Sequence, residues 1–209
     1  FEIARQKGCV VKGISLSKNQ INYCKKKAKE LNLDNQVSFE LADYREVKGK
    51  FDRIYSVGMF EHVGKKFYNV FFKSINKLLK EDGLFLLHTI GVVDKPTPPN
   101  KFINKYIFPG GICPSLSQIV KPIEKTGLIV ADTETLIRHY DKTLLSWLSR
   151  FMAKKDLVKD MFDEKFVKMW SFYLASCAAA FRYRDLAVFQ LQIVKNFNNA
   201  KRTRNYLYS

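Results

Sequence analysis

Short apolar runs rich in β-branched residues alternate with helical patterns along this chain, and this alternation constrains the fold more than any other feature. Strands are predicted at residues 10–16, 37–41, 51–57 and 84–88. One helix pattern separates the first two strands, and another, at about 66–80, precedes the fourth. This order is typical of a doubly wound α/β fold, with a mostly parallel sheet buried on both faces.

Two segments interrupt the alternation. Residues 92–114 are rich in proline and glycine, which predicts an irregular excursion. Residues 140–184 follow a helical pattern rich in Phe, Trp and Tyr, which predicts a helical lid or substrate region. We therefore expect residues 1–209 to form a single, partial domain that carries these two additions.

The remaining segments complete the predicted order. Glu-Asp-Gly at 81–83 predicts a turn, 115–125 a helix, and 128–132 and 186–194 two further strands. The basic tail, 195–209, is expected to be frayed. The chain starts without Met, on residues that resemble the end of a helix, so we expect a piece of a longer protein that begins within a domain.

Composition bears on partners and compartment. Thirty-six Lys and Arg against twenty Asp and Glu give a net charge of +16, which favours nucleic acid or an anionic bilayer surface as partner. A role of this charge in solubility alone stays open. The four cysteines lack metal-type spacing, which indicates reduced thiols, a cytoplasmic protein and no metal site. No run of eighteen apolar residues predicts a membrane-spanning helix.

Titratable side chains lie where two of the predicted strands end. Glu61 and His62 follow the third strand, and His88 ends the fourth. Ligands of open α/β sheets bind beyond the carboxyl ends of the strands, so Glu61 and His88 are expected to face one pocket. The alternative is that Glu61 caps a helix, His62 packs locally and His88 is structural. Two such ligands are too few for a metal site.

The ends of the first two strands carry residues suited to a nucleotide-type cofactor. Residues 15–20 lie where the ribose of such a cofactor binds, although Ser17 and Gln20 also form a capping-box pattern that needs no ligand. Asp43 and Tyr44 suit the edge and face of an adenine, although Asp is also an ordinary turn residue.

Five segments, in family order, resemble the cyclopropane-fatty-acyl-phospholipid synthase family. They are FDRIYSVGMFEHVG (51–64), FLLHTIG (85–91), INKYIFP (103–109), YDKT (140–143) and CAAAFR (177–182). This family uses S-adenosylmethionine to deliver a methyl group across a cis double bond of a phospholipid acyl chain. The resemblance implies a Rossmann-like fold of the class I methyltransferase type.

The resemblance also implies roles for single residues. Glu61, the His88 side chain, the backbone at Ile90 and the Tyr140 hydroxyl match positions that hold a bicarbonate ion. Cys177 matches the position usually marked as the active-site cysteine.

The cofactor contacts are implied in the same way. The ribose-contacting segment supplies Ser15, Leu16 and Gln20, and Tyr44 and Arg45 match the adenine-side pair, beside Asp43. The family's first strand and its Asp-x-Gly-x-Gly-x-Gly loop have no counterpart in the sequence. We therefore expect the 209 residues alone to bind the cofactor poorly.

The implied chemistry fits these residue types. The alkene attacks the sulfonium methyl, and the resulting carbocation loses a proton as the ring closes. A weak base held by Glu61, His88 and Tyr140 would take that proton. A carbocation needs a dry, aromatic site. The candidates for this lining, for which plain core packing is the alternative, are Phe60, Tyr140, Tyr173 and Phe181.

The implied partner is an unsaturated phospholipid in an anionic bilayer, reached by peripheral contact with the inner face of the membrane. The expected contacts are Lys65, Lys66, Lys101 and Lys105, and a homodimer is left open. One alternative function is a methyltransferase acting on a small amine or phenol. Another is a non-catalytic basic domain that binds nucleic acid or membrane. The aromatic residues are not interleaved with Lys and Arg, which favours a partner other than nucleic acid.

Overall fold

The computed structural model describes residues 1–98 and 100–208, which form two compact units, Phe1–Gly49 and Lys50–Ser209. Each unit has its own sheet. The expectation of one partial domain over residues 1–209 stays a prediction.

The first unit is a short β–α–β arrangement preceded by a helix. Its elements are α1 (Glu2–Lys7), β1 (Val11–Ser15), α2 (Lys18–Glu30) and β2 (Val37–Leu41). The two strands pair in parallel along their whole length, so their carboxyl ends meet at one edge. Ala4, Ala28 and Val37 form the small apolar core. Both predicted strands and the helix between them are confirmed.

The second unit contains a four-stranded sheet in the order β3-β4-β6-β5. Its strands are β3 (Phe51–Val57), β4 (Leu79–Val92), β5 (Ile129–Ile137) and β6 (Leu186–Val194). Its helices are α3 (Tyr68–Leu78), α4 (Lys101–Tyr106), α5 (Leu116–Glu124), α6 (Tyr140–Met152), α7 (Lys155–Met161) and α8 (Glu164–Tyr183). None of the helices described in either unit is both long enough and apolar enough to cross a membrane.

The α/β class is confirmed, and the strand directions refine it. Strand β3 is parallel to β4, whereas β6 is antiparallel to both β4 and β5. Three strands therefore run one way, as predicted, and β6 runs the other way between two of them. The chain reaches β6 directly from α8, and a strand that enters between two parallel neighbours from their carboxyl edge must run against both.

The two predicted additions differ in regularity. Residues 92–114 are not wholly irregular, since they contain the short helix α4. The Asn100 side chain caps this helix by accepting hydrogen bonds from the amides of Phe102 and Ile103. Residues 140–184 are helical as predicted, but they form the three helices α6, α7 and α8.

The predicted turn at 81–83 is wrong in form. These residues lie within β4, where the register steps from Phe51 opposite Leu79 to Arg53 opposite Leu84. The extra residues of β4 therefore form a bulge within the strand.

The expectation of a frayed tail is also wrong for the described residues. The Tyr206 hydroxyl donates to Asp132 Oδ2 at 3.0 Å and accepts from Gln192 Nε2 at 2.7 Å. Arg204 Nε donates to the same Asp132 oxygen at 2.9 Å. These bonds hold the tail against β5 and β6.

Two apolar clusters support the second sheet. The β4 side chains that alternate toward one face, including Phe85 and Leu87, are fully buried. The second cluster lies between α6 and α8, which pack together through residues such as Leu144 and Phe181. An ion pair of 2.6 Å between Asp141 and Arg182 joins these two helices.

Gly91 in β4 leaves no room for a side chain. A Cβ there would lie 2.4 Å from both a ring carbon of Phe189 and the carbonyl oxygen of Pro114. We expect Gly91→Ala to lower the free energy of unfolding by about 3 kcal/mol, as overpacking does. At Gly110 a Cβ would have no atom within 4 Å, and only the positive φ of 74° disfavours a side chain. Gly110→Ala should therefore lower the free energy of unfolding by about 1 kcal/mol. Urea unfolding measures both, and equal losses would contradict the close approach.

Candidate active site

The sequence-predicted residues come from elements that meet at one edge of the second sheet. Glu61 follows the carboxyl end of β3, His88 and Ile90 lie near that of β4, and Tyr140 opens α6 just after β5. Because β6 runs in reverse, its amino end reaches the same edge, and Cys177 lies on α8, which precedes it. Ile90, Tyr140 and Cys177 pack against one apolar cluster.

A short turn after β3 fixes Glu61 on β4. Gly58, with φ 64°, turns the chain beyond β3, and a single 3-10 turn, Phe60–His62, carries Glu61 back. Glu61 Oε1 then accepts a 2.7 Å hydrogen bond from the amide of Ile90. Strand β3 pairs with β4 only as far as His88, so the amide of Ile90 lies beyond the end of β3. The Glu61 carboxylate accepts the hydrogen bond that a strand partner would otherwise accept.

The second carboxylate oxygen of Glu61 is buried. Within the described part of the chain, Oε2 has no hydrogen-bond partner. A buried carboxylate oxygen in this state costs free energy, which is recovered when a ligand donates to it. Glu61 therefore has one oxygen committed to the fold and one able to bind a donor.

His88 is held by a residue of the reversed strand. Gln190 lies directly opposite it in β6, and Gln190 Nε2 is 3.1 Å from His88 Nδ1. An amide nitrogen can only donate, so Nδ1 accepts and the neutral ring carries its proton on Nε2. Burial lowers the pKa of His88, and the charge of Glu61 opposes this only in part. Near neutral pH, His88 is therefore an uncharged donor through Nε2–H.

Tyr140 and Cys177 are protonated groups at this edge. Burial raises the pKa of the Tyr140 hydroxyl, and the charge of Glu61 raises it further. Burial raises the pKa of the Cys177 thiol to about 11. A thiol in this state is a poor nucleophile, so Cys177 is suited to packing and not to covalent catalysis.

The predicted aromatic lining divides into two groups. Tyr140 lies 5.1 Å from Phe181 between ring centroids, and both pack in the α6–α8 cluster with Tyr173. Phe60 is fully buried, with its ring 4.3 Å from that of Tyr68 and in contact with Phe72. This favours core packing for Phe60.

His62 lies outside the group of residues that meets at the sheet edge. His62 is exposed, with its ring 5.7 Å from that of Phe108, which favours the local-packing alternative. Within residues 1–98 and 100–208, no group of three His, Cys, Asp or Glu side chains is arranged to hold a metal ion.

The ribose segment has a defined geometry in the first unit. Ser15 Oγ donates to Gln20 Oε1 at 2.6 Å, and Ser17 Oγ accepts from the amide of Gln20. The predicted capping box is therefore only half formed, because the Gln20 side chain binds Ser15 and not the backbone of Ser17. Leu16, between the two serines, is 75% exposed.

The adenine segment lies at the same edge of the first sheet. The Ala42 amide donates to the Ser15 carbonyl oxygen at 3.3 Å, which joins the chain after β2 to the end of β1. Arg45 Nε and Nη2 bind both oxygens of Asp43, at 2.8 and 2.7 Å, and this lowers the pKa of Asp43. The Arg45 guanidinium also lies 5.8 Å from the centre of the Tyr44 ring.

Two relevant residues were not found from the sequence. Gln190 holds His88, and its signal is the alternation of Gln190 and Gln192 within an otherwise apolar strand. Tyr68 is buried beside the turn that carries Glu61. Its position in the apolar stripe of α3 indicates core packing, so the sequence did not mark it as a site residue.

Comparison with known families gives one match over most of the chain. The model of the mycolic acid cyclopropane synthetase family matches residues 1–191. The cyclopropane-fatty-acyl-phospholipid synthase of Escherichia coli strain K12 is 38% identical over 192 residues, 92% of this chain and 49% of the relative. The tuberculostearic acid methyltransferase UfaA1 of Mycobacterium tuberculosis is 32% identical over 198 residues, 92% of this chain and 46% of the relative. The chain thus spans about half the length of these curated relatives.

Solved structures give the same fold. The cyclopropane synthase MmaA2 from Mycobacterium tuberculosis superposes with a TM-score of 0.85 at 30% identity, over 91% of this chain and 72% of that one. Mycolic acid cyclopropane synthase CmaA1, complexed with SAH and CTAB, gives 0.84 at 31% identity, over 92% and 72%. These matches confirm the class I methyltransferase type of fold.

The His88–Gln190 contact predicts a titration. The chain has three histidines, so each ring signal can be followed by NMR and assigned by its loss in a single variant. We expect His88 to titrate below its ordinary pKa of about 6.5. In Gln190→Glu, a carboxylate beside Nδ1 favours the protonated ring and should raise the pKa of His88.

The control is Gln36→Glu, which adds the same charge at an exposed position and should leave His88 unchanged. The lowered pKa of His88 also makes the free energy of unfolding depend on pH. As pH falls, the unfolded chain takes up the His88 proton before the folded chain does. The contribution of neutral His88 to stability is therefore present above the pKa of the unfolded chain and is lost as pH falls through the pKa of the folded chain. An unshifted His88 titration in Gln190→Glu would contradict the contact between position 190 and the His88 ring.

Proposed function

Because this chain belongs to the mycolic acid cyclopropane synthetase family, we propose that its protein transfers a methylene group from S-adenosylmethionine across a cis double bond of an unsaturated phospholipid acyl chain, forming a cyclopropane ring. One observation carries the proposal. Glu61 is fixed on the Ile90 amide with its second oxygen buried and unpartnered, beside an uncharged His88. A relative named for phospholipid cyclopropanation and a solved relative complexed with SAH and CTAB support the substrate and cofactor classes.

The reaction requires a proton acceptor at a dry site. When bound, S-adenosylmethionine supplies the methyl carbon as an electrophile, and bicarbonate supplies a weak base. Ring closure adds CH2 to the alkene and releases one proton. The protein's residues therefore have to hold a base near the reacting carbon and keep water away from the cationic centre.

The polar groups at the sheet edge fit a bicarbonate ion. Glu61 Oε2 can only accept while it is ionised, and it can take the O–H of the ion. His88 Nε2–H and the Tyr140 hydroxyl can donate to the remaining oxygens. The site thus offers one acceptor and two donors, which is the complement of an anion that carries its own proton.

Aromatic side chains can exclude water from the same site. Phe181 is 2% exposed and Tyr173 is 8% exposed, and both pack with Tyr140 in the α6–α8 cluster. The faces of such rings stabilise a cation without supplying a nucleophile that would capture it. Cys177, which keeps its proton, adds no competing nucleophile.

The cofactor is proposed to use the edge of the first sheet. Ser15 and Gln20 are already held to each other and can bind ribose hydroxyls, and the neighbouring Leu16 completes this segment. Tyr44 offers an aromatic face for adenine. Asp43 already shares both oxygens with Arg45, so it can accept from the adenine edge only through their remaining lone pairs.

Substitution of the base-holding residues tests this proposal. Glu61→Gln and His88→Ala should each reduce turnover about 100-fold or more, as expected for the loss of a general-base element. Binding of S-adenosylmethionine should remain. The measurement is mass spectrometry of lipids from expressing cells, in which the product is heavier by one CH2.

The matched controls are Glu124→Gln and His139→Ala, both exposed, which should keep normal turnover. Cys177→Ser should lose activity only in part, since no step needs a thiolate. Near-normal turnover in Glu61→Gln or His88→Ala would contradict the role of that residue. Unchanged acyl chains together with methylation of a small amine would favour the alternative methyltransferase.

We further propose that the protein works from the cytoplasmic side as a peripheral protein on an anionic bilayer. Lys65 and Lys66 follow the turn of Glu61, and Lys101 and Lys105 lie on α4. All four are exposed, and none has an ion pair in the described structure. Each such residue near an anionic surface contributes about 1 kcal/mol.

Vesicle co-sedimentation tests this contact. Replacing these four lysines by serine should weaken binding to vesicles of anionic phospholipid by about 100-fold or more, because the contributions add. Replacing Lys18, Lys25, Lys26 and Lys29 of α2 removes the same charge and should matter less. Binding should fall steeply in high salt. Equal effects of the two variants, or equal binding to neutral vesicles, would contradict the proposed surface.

A further inference from the structure

Tyr68, the first residue of α3, carries a polar group that the mechanism has not used. The residue is 2% exposed, and its ring is stacked on that of Phe60 at 4.3 Å. Its hydroxyl is buried and has no hydrogen-bond partner among residues 1–98 and 100–208. Tyrosine hydroxyls in protein interiors ordinarily find a partner, so this group requires an explanation.

The ring contact places Tyr68 beside the turn of Glu61. Phe60, on which Tyr68 stacks, is the residue before Glu61 in the 3-10 turn Phe60–His62. Burial, with smaller contributions from Cys113 and from the charge of Glu61, raises the pKa of the Tyr68 hydroxyl to about 12. The hydroxyl is therefore within electrostatic reach of the carboxylate and keeps its proton, so it acts as a donor.

Glu61 in this turn and Tyr68, which stacks on the turn, each keep a buried polar atom without a partner in the described structure, and the two atoms are of opposite type. Glu61 Oε2 is an acceptor without a donor, and the Tyr68 hydroxyl is a donor without an acceptor. Each costs free energy while unpartnered. An oxyanion that carries one O–H can satisfy both, because it donates through that group and accepts through its other oxygens.

We propose that Tyr68 is a further anion-binding residue of this site, whose hydroxyl donates a hydrogen bond to the oxyanion that Glu61, His88 and Tyr140 hold. The inference rests on the bicarbonate site of the proposed function and adds a fourth side chain to it. It also predicts selectivity. Nitrate has a similar planar shape but no proton for Glu61 Oε2, so it should bind more weakly than bicarbonate.

Thermal unfolding in the presence of anions tests the proposal without an activity assay. The protein is melted across a series of sodium bicarbonate concentrations, with sodium nitrate and sodium chloride series at matched pH and ionic strength. A ligand that binds only the folded state raises Tm. We expect bicarbonate to raise Tm of the wild type more than either control salt.

The variant is Tyr68→Phe, which removes only the hydroxyl. Its half-maximal bicarbonate concentration should rise about tenfold or more, as expected for a lost hydrogen bond to a charged group. Without bicarbonate, its Tm should equal or exceed that of the wild type, because an unpartnered buried hydroxyl is removed.

Tyr206→Phe is the matched control. The Tyr206 hydroxyl has two partners, Asp132 and Gln192, so its loss should lower Tm equally with and without bicarbonate. The half-maximal concentration should stay that of the wild type. The proposal is overturned if Tyr68→Phe keeps the half-maximal bicarbonate concentration of the wild type. It is also overturned if Tyr68→Phe lowers Tm in the absence of bicarbonate, as Tyr206→Phe does.

The outcomes separate this inference from the proposed function. A Tyr68-dependent bicarbonate shift in a protein that forms no heavier lipid would support the anion site and overturn the lipid reaction. A protein that forms the lipid product but shows no bicarbonate-specific shift would keep the reaction and overturn the role of Tyr68.

Discussion

The hydrogen bond from the Ile90 amide to Glu61 is the contact on which the rest of the site depends. It joins the turn after β3 to the end of β4 over 2.7 Å, and a charged acceptor makes it worth about 1.5–3 kcal/mol. By committing one carboxylate oxygen to the backbone, it fixes where the other one lies. Burial, and to a smaller extent the charge held there, raises the pKa of Tyr140 and Tyr68, so both hydroxyls stay donors. One backbone contact thus positions the carboxylate around which the other side chains of the site are arranged.

The reversed strand β6 supplies the second constraint. By running antiparallel between β4 and β5, it brings Gln190 opposite His88 and delivers α8, with Cys177, to the same edge. Gln190 selects the tautomer, and burial keeps the ring neutral. An uncharged His88 can donate to the proposed anion beside Glu61 without forming an ion pair with Glu61, so the second carboxylate oxygen stays available as an acceptor. The topology of the sheet therefore determines the protonation state at its edge.

The sequence predicted those features that local pattern determines. The apolar runs at 37–41 and 51–57 match β2 and β3, and the apolar run at 84–88 lies within β4, which continues past His88 to Val92. Features that depend on distant contacts were not accessible. Gln190 is 102 residues from His88, and Tyr206 is 74 residues from Asp132. Local sequence pattern therefore predicts neither the tautomer of His88 nor the contact of the tail with β5. The predicted turn at 81–83 is a bulge because β3 pairs with β4 on both sides of it, Phe51 with Leu79 and Arg53 with Leu84.

We propose that this site removes a proton while a ring forms, and an isotope measurement tests this most directly. The protein is supplied with unsaturated phospholipid vesicles and S-adenosylmethionine whose transferred methyl group carries three deuterons. Ring closure must release one of them to the base that Glu61, His88 and Tyr140 are proposed to hold, so the lipid product should gain CD2 and retain two deuterons. A lipid that retains all three deuterons would show methyl transfer without ring closure, as would label found only in a small amine. Either result would contradict the role assigned to Glu61, His88 and Tyr140.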